Sequence, residues 1–96
     1  MNEPKILRTK VQDVKFGINV TVVEPANIYG CEIGDDCIIG TFVEIQKGVI
    51  IGKRCKIHSH AFVCEMVTIG NDCVISHGAM FINDPFSIGG PARRNR

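Results

Sequence analysis

The stretch IGDDCI IGTFVE IQKGVI IGKRCK IHSHAF VCEMVT IGNDCV ISHGAM FINDPF, residues 33–86, divides into sextets without a gap. Upstream, FGINVT (16–21) and VVEPAN (22–27) hold the same frame, and IYGCE (28–32) is one residue short. The leading positions are Phe16, Val22, Ile28, Ile33, Ile39, Ile45, Ile51, Ile57, Val63, Ile69, Ile75 and Phe81, all of them Ile, Val or Phe. The fifth positions from Cys37 onward are small or medium: Cys37, Val43, Val49, Cys55, Ala61, Val67, Cys73, Ala79, Pro85. Gly fills the second position at 34, 40, 52 and 70. A helix would turn Ile33 and Ile39 to different faces, and a long strand would not need a recurrent glycine. A six-residue period with aliphatic leaders marks a parallel β-helix, in which each sextet is a short strand plus a corner. Three sextets close a coil of 18 residues, and coils stack at the strand spacing of about 4.8 Å. Residues 16–32, 33–50, 51–68 and 69–86 make four coils. Their leaders pile into interior columns such as Phe16/Ile33/Ile51/Ile69. Asp35, Asp36, Asn71 and Asp72 suit the tight backbone of corners.

Length and composition agree with one small domain, residues 1–96, with coils over about 16–86 and a loop start or tail at 87–96. A chain of 96 residues buries only about 60–65% of its unfolded surface, so it is marginal alone. It is 45% hydrophobic and 22% charged, which excludes a disordered tail. A net charge of +1 offers no basic field for a phosphate backbone, and six aromatics (five Phe, one Tyr) make no base-stacking surface, so no nucleic-acid partner is expected. No apolar run is long enough to span a membrane. The N-terminal MNEPKILRTK has no apolar signal-peptide core, and the five cysteines are an odd number. A cytoplasmic protein with free thiols is the expectation, with Cys37, Cys55 and Cys73 as one interior column of unbridged side chains.

The repeat, with EPANIYGCEIG (24–34), FVEIQKGVIIG (42–52), SHAFVCEMVTIG (59–70) and HGAMFIND (77–84), resembles the left-handed β-helix acyltransferases. Within them it is most similar to the group that N-acetylates nucleotide-linked 3-amino sugars for bacterial surface polysaccharides. The resemblance covers roughly residues 20–86. It implies an all-β, left-handed parallel β-helix of about four hexapeptide-repeat coils. It further implies acetyl-CoA as co-substrate, no metal, a nucleotide-linked amino sugar as acceptor, and a homotrimer with sites between subunits. Phe42, Phe62, Met66 and Met80 fall at sextet positions that face out or lie at corners, and apolar groups there point to a covered surface. Enzymes of this group continue past the FIND string with a loop and further coils. GGPARRNR (89–96) reads as the start of that loop, so a truncated chain is expected. A non-catalytic β-helix or oligomerisation module is the rival reading.

Stacking at 18 residues places Lys47, Glu65 and Asn83 in one column and Gly48, Met66 and Asp84 in the next, with Gln46, Cys64 and Ile82 on the other side. Asn83, Asp84 and Glu65 are the candidate catalytic residues. An amine acceptor attacks in its neutral form, so Asn or Asp to orient it and a carboxylate to take a proton late are enough. Asn83-Asp84-Pro85 is equally a turn signal. His60, His77 and Gln46 are the candidate substrate-binding residues, with His60 and His77 on a diagonal across adjacent coils. His58, His60 and His77 on one edge also raise a zinc site like that of γ-class carbonic anhydrases. Zinc needs three or four converging ligands, and residues two apart across a corner need not converge.

Overall fold

The computed structural model describes residues 3–82, and within them every regular element is a short parallel strand. In chain order these are β1 (Val11–Gln12), β2 (Lys15–Phe16), β3 (Thr21–Val22), β4 (Asn27–Tyr29), β5 (Glu32–Ile33), β6 (Ile38–Ile39), β7 (Glu44–Ile45), β8 (Ile50–Ile51), β9 (Lys56–Ile57), β10 (Phe62–Val63), β11 (Thr68–Ile69), β12 (Val74–Ile75) and β13 (Met80–Phe81). They form three flat faces. The first face runs β1-β4-β7-β10-β13, the second β2-β5-β8-β11 and the third β3-β6-β9-β12. The chain passes from first to second to third face and back, as a parallel solenoid of about four turns consistent with the left-handed β-helix.

The register follows the sextets. Phe16 pairs with Ile33, Ile33 with Ile51, and Ile51 with Ile69, which is the expected interior column. Pairs that bridge the short IYGCE stretch are 17 residues apart, such as Thr21 with Ile38, and later pairs are 18 apart, such as Ile38 with Lys56. The leaders Ile28, Ile33, Ile39, Ile45, Ile51, Ile57, Val63 and Ile69 are buried together with Cys37, Val43, Val49, Cys55 and Ala61. Among the described residues no polar or charged residue is buried. Burying an aliphatic side chain of this size contributes about 1.5–3 kcal/mol, so this double row holds the turns together. Phe16 is 40% exposed because it sits in the first coil, where no further turn covers it.

One boundary moves. The coils begin at Val11 rather than residue 16, since Val11 pairs with Ile28 and Gln12 with Tyr29. VQDVK (11–15) is a second five-residue unit lying beneath IYGCE, so the two short units stack.

The fourth sextet position is the corner. It takes a positive φ at Asn19, Asp36, Arg54 and Asp72 after the second face, and at Phe42, His60 and Gly78 after the third. After the first face the corner residues are Asp13, Gly30, Gly48 and Met66. At Pro25, whose ring fixes φ negative, the chain instead has a cis Glu24–Pro25 bond. Most corner N–H groups donate one coil back, as Asp36 does to the carbonyl of Ile18 (2.9 Å) and Arg54 to that of Asp35 (2.8 Å). The turns thus stay hydrogen-bonded where the strands stop.

Candidate functional site

The described candidate residues fall at two corners that flank the first face. Gln46 and Glu65 come together where the first face turns into the second. Gln46 follows β7 and its side chain points outward. Its Oε1 accepts the backbone N–H of Glu65, one coil on, at 3.2 Å. Its Nε2 donates to Oε2 of Glu44 at 3.0 Å. Lys47 Nζ lies 3.6 Å from Glu65 Oε2, with the two side chains 71% and 46% exposed. The expected Lys47/Glu65 column is therefore an ion pair. At that exposure it contributes only about 0–1 kcal/mol to stability. Its chemical content is a water-accessible carboxylate beside a cation, with the Gln46 amide oriented by two partners.

Glu44 is a residue that the reading of the sequence passed over. It occupies the sixth position, just before the leader Ile45, so its side chain lies on the outer face beside that of Gln46. Sixth and second positions flank each leader and share one face, which was the available signal.

The second cluster lies where the third face turns back into the first. The rings of His58 and His77 are 4.7 Å apart at 33°, and those of Phe42 and His60 are 5.1 Å apart at 43°. The ring that meets His77 is thus that of His58, while His60 rests against Phe42. His58 was read from the sequence only as a doubtful metal ligand. His58 is at a second position and His77 at a third, so the flank of one coil meets the corner of the next. His58 is half-buried, and Phe42, His60 and His77 are exposed. The arrangement offers imidazole edges and an aromatic surface to a ligand. Among the described residues, no group of three or more His, Cys, Asp or Glu is placed to hold a metal ion.

Asn83 and Asp84 lie outside the described residues. Among the described residues, Cys37, Cys55 and Cys73 stand unbridged at successive fifth positions, with Cys37 and Cys55 buried and Cys73 half-buried. Cys37 Sγ donates to the carbonyl of Gly52 at 3.1 Å and Cys55 Sγ to that of Gly70 at 3.0 Å. These thiols serve the coil-to-coil contact. Burial, helped by the neighbouring Glu32 charge, pushes the Cys31 thiol up to about 11. Among the described residues no helix is long and apolar enough to cross a membrane.

Comparison with known proteins adds to this geometry. Residues 30–65 match the family model described as bacterial transferase hexapeptide (six repeats). Curated relatives include the acyl-[acyl-carrier-protein]–UDP-N-acetylglucosamine O-acyltransferases of Brucella ovis, Brucella canis and Brucella suis. Each is 34% identical over 77 residues, which is 77% of this chain and 26% of the relative. The chain thus spans about a quarter of the length of the curated relatives it matches. No solved structure matches. Over residues 30–65 the sextets that build the three faces match the hexapeptide repeat of bacterial transferases.

Proposed function

We propose that this chain is part of an acyltransferase that moves an acetyl group from acetyl-CoA to the amine of a nucleotide-linked amino sugar, working as a cytoplasmic homotrimer. The observation that carries the acyl-transfer reading is the hexapeptide match together with relatives named as acyltransferases acting on a UDP-linked sugar. The sugar nitrogen attacks the thioester carbonyl, the C–N bond forms, and the C–S bond breaks. The amine proton leaves as the CoA thiol is released. Glu65 is the proton acceptor, and Asn83 and Asp84 orient the amine. Gln46, His60 and His77 contact the substrate. The exposed Phe42, Met66 and Met80 lie under a neighbouring subunit. No metal takes part.

The names of the relatives favour a second reading. They describe an acyl carrier protein as donor and an oxygen as acceptor. Transfer to oxygen needs a stronger base than transfer to a neutral amine, and the histidine cluster is then the place for it.

Incubating the purified chain with each donor and each acceptor, followed by mass spectrometry of the sugar product, separates the two. Acetylated 3-amino nucleotide sugar formed from acetyl-CoA supports the first reading. O-acylated UDP-N-acetylglucosamine formed from acyl carrier protein replaces it with the second. A folded protein that turns over neither pair leaves the non-catalytic module.

A further inference from the structure

The first coil carries a cavity that none of the candidate residues touches. Its volume is about 550 Å³. Its floor is the outer face of β1 and β4, at the open edge of the first face. Register places Gln12 beside Tyr29. The Ile28 N–H donates to the Lys10 carbonyl at 2.8 Å, and the Lys10 N–H donates to Asn27 Oδ1 at 3.4 Å. The other wall is the segment before β1, which brings Ile6, Leu7 and Arg8 to the same opening.

The chemistry of the lining is selective. Two cations, Arg8 and Lys10, face it, and no carboxylate lines it. Among the described residues neither cation is in an ion pair. On the next strand of the face, Glu44 lies one coil on from Asn27, and its carboxylate accepts the Gln46 amide. Tyr29 is the sole tyrosine of the chain, is half-buried, and lines the cavity beside Gln12. Ile6 and Leu7 are 71% and 78% exposed, which leaves an apolar wall without a cover.

We infer that this cavity binds a nucleoside diphosphate. The Arg8 guanidinium fork and the Lys10 ammonium take the phosphates, since a planar fork matches two phosphate oxygens at once. The Tyr29 ring stacks on the base, a contact that every base offers. Gln12 and Asn27 each carry amide donors and a carbonyl acceptor for the edge of the base. Ile6 and Leu7 cover the ribose. The volume lies in the range of about 300–1,000 Å³ that holds small ligands. Free phosphate alone would leave Tyr29, Ile6 and Leu7 without a role, and an uncharged nucleoside would leave both cations without one.

The inference does not rest on acyl transfer, because its test contains no turnover step. Equilibrium dialysis of the whole chain against UDP, ADP, pyrophosphate and uridine measures binding. Tyrosine emission, corrected for nucleotide absorbance, reports on Tyr29 alone because the chain has one Tyr and no Trp. The expected result is saturable binding of UDP or ADP, at least about tenfold tighter than pyrophosphate or uridine, with quenched tyrosine emission. Arg8→Ala with Lys10→Ala weakens nucleotide and pyrophosphate about tenfold or more. Both residues are exposed, so this variant keeps its circular dichroism spectrum. Tyr29→Leu weakens nucleotide and spares pyrophosphate. Absence of saturable nucleotide binding at millimolar concentration, or binding unchanged in the Arg8/Lys10 variant, overturns the inference.

Discussion

Arg54 and Asp72 face each other across adjacent coils as a two-pronged ion pair. Arg54 Nε donates to Asp72 Oδ1 at 2.7 Å and Nη2 donates to Oδ2 at 3.0 Å. Both residues are corners, with φ of +57° and +58°. The hydrogen bond from Arg54 holds the Asp72 carboxyl below the usual carboxylate range. A depressed folded-state pKa adds stability above the unfolded value of about 4 and loses it as pH falls through the folded one. Urea midpoints of the protein and of Asp72→Asn should therefore differ slightly at pH 7, and the gap should close below about pH 4. The pair is exposed, so added NaCl should narrow the gap as well. A gap that persists at low pH would show that Asp72 acts through corner geometry instead.

Glu65 gives a prediction on activity. Under the acyl-transfer proposal, Glu65→Gln should slow product formation by about 10²-fold or more. Thermal unfolding should barely move, because the Lys47–Glu65 pair is exposed. Lys47→Gln serves as the comparison and should cost far less activity. An unchanged rate in Glu65→Gln would remove it as proton acceptor.

The second-position glycines predict a graded response. A Cβ on Gly34 would lie 2.7 Å from the Gly52 carbonyl carbon and 2.8 Å from its oxygen. These are backbone atoms held by the ladder, so relief requires the coils to part. Gly34→Ala should cost about 1–3 kcal/mol by denaturant unfolding. Among the described residues a Cβ on Gly70 meets nothing within 4 Å, so Gly70→Ala should stay within about 0.5 kcal/mol. Equal effects at the two sites would show that coil-to-coil approach is not what selects glycine.

Thiol chemistry checks the interior. Cys31, Cys37 and Cys55 are buried, while Cys64 and Cys73 are half-buried. At pH 8 an aromatic disulfide reagent should modify Cys64 and Cys73 first, since the thiolate is the reactive form and Cys31 is held protonated. All five should react together in urea. Early labelling of Cys31, located by peptide mass, would contradict its burial in the interior.

The columns of the fold were legible because leaders such as Ile33 and Ile51 answer only to burial, which leaves a plain mark on residue type. The shortened IYGCE unit likewise foretold the 17-residue register between Thr21 and Ile38. The corners were legible only in part. Asp36, His60 and Asp72 are residues of types enriched at a positive φ, but Phe42, Arg54 and Met66 are not. There the ladder on both sides imposes the conformation, and no local preference announces it. VQDVK hid its place in the first coil because Val11 is only half covered and Gln12 and Asp13 look like any loop. In the candidate site, the Lys47/Glu65 column follows from counting 18 residues. The roles of Glu44 and His58 depend on how side chains at neighbouring positions lean, which spacing alone does not specify.

The stacked corner columns make length a quantised property of this molecule. Inserting or removing 18 residues within the regular coils shifts every later leader onto an equivalent leader, so the rod grows or shrinks by one storey of about 4.8 Å. Any other change must be absorbed at a corner, as it is at Gly30. A lineage carrying such a chain can vary its reach in whole storeys while keeping its cross-section.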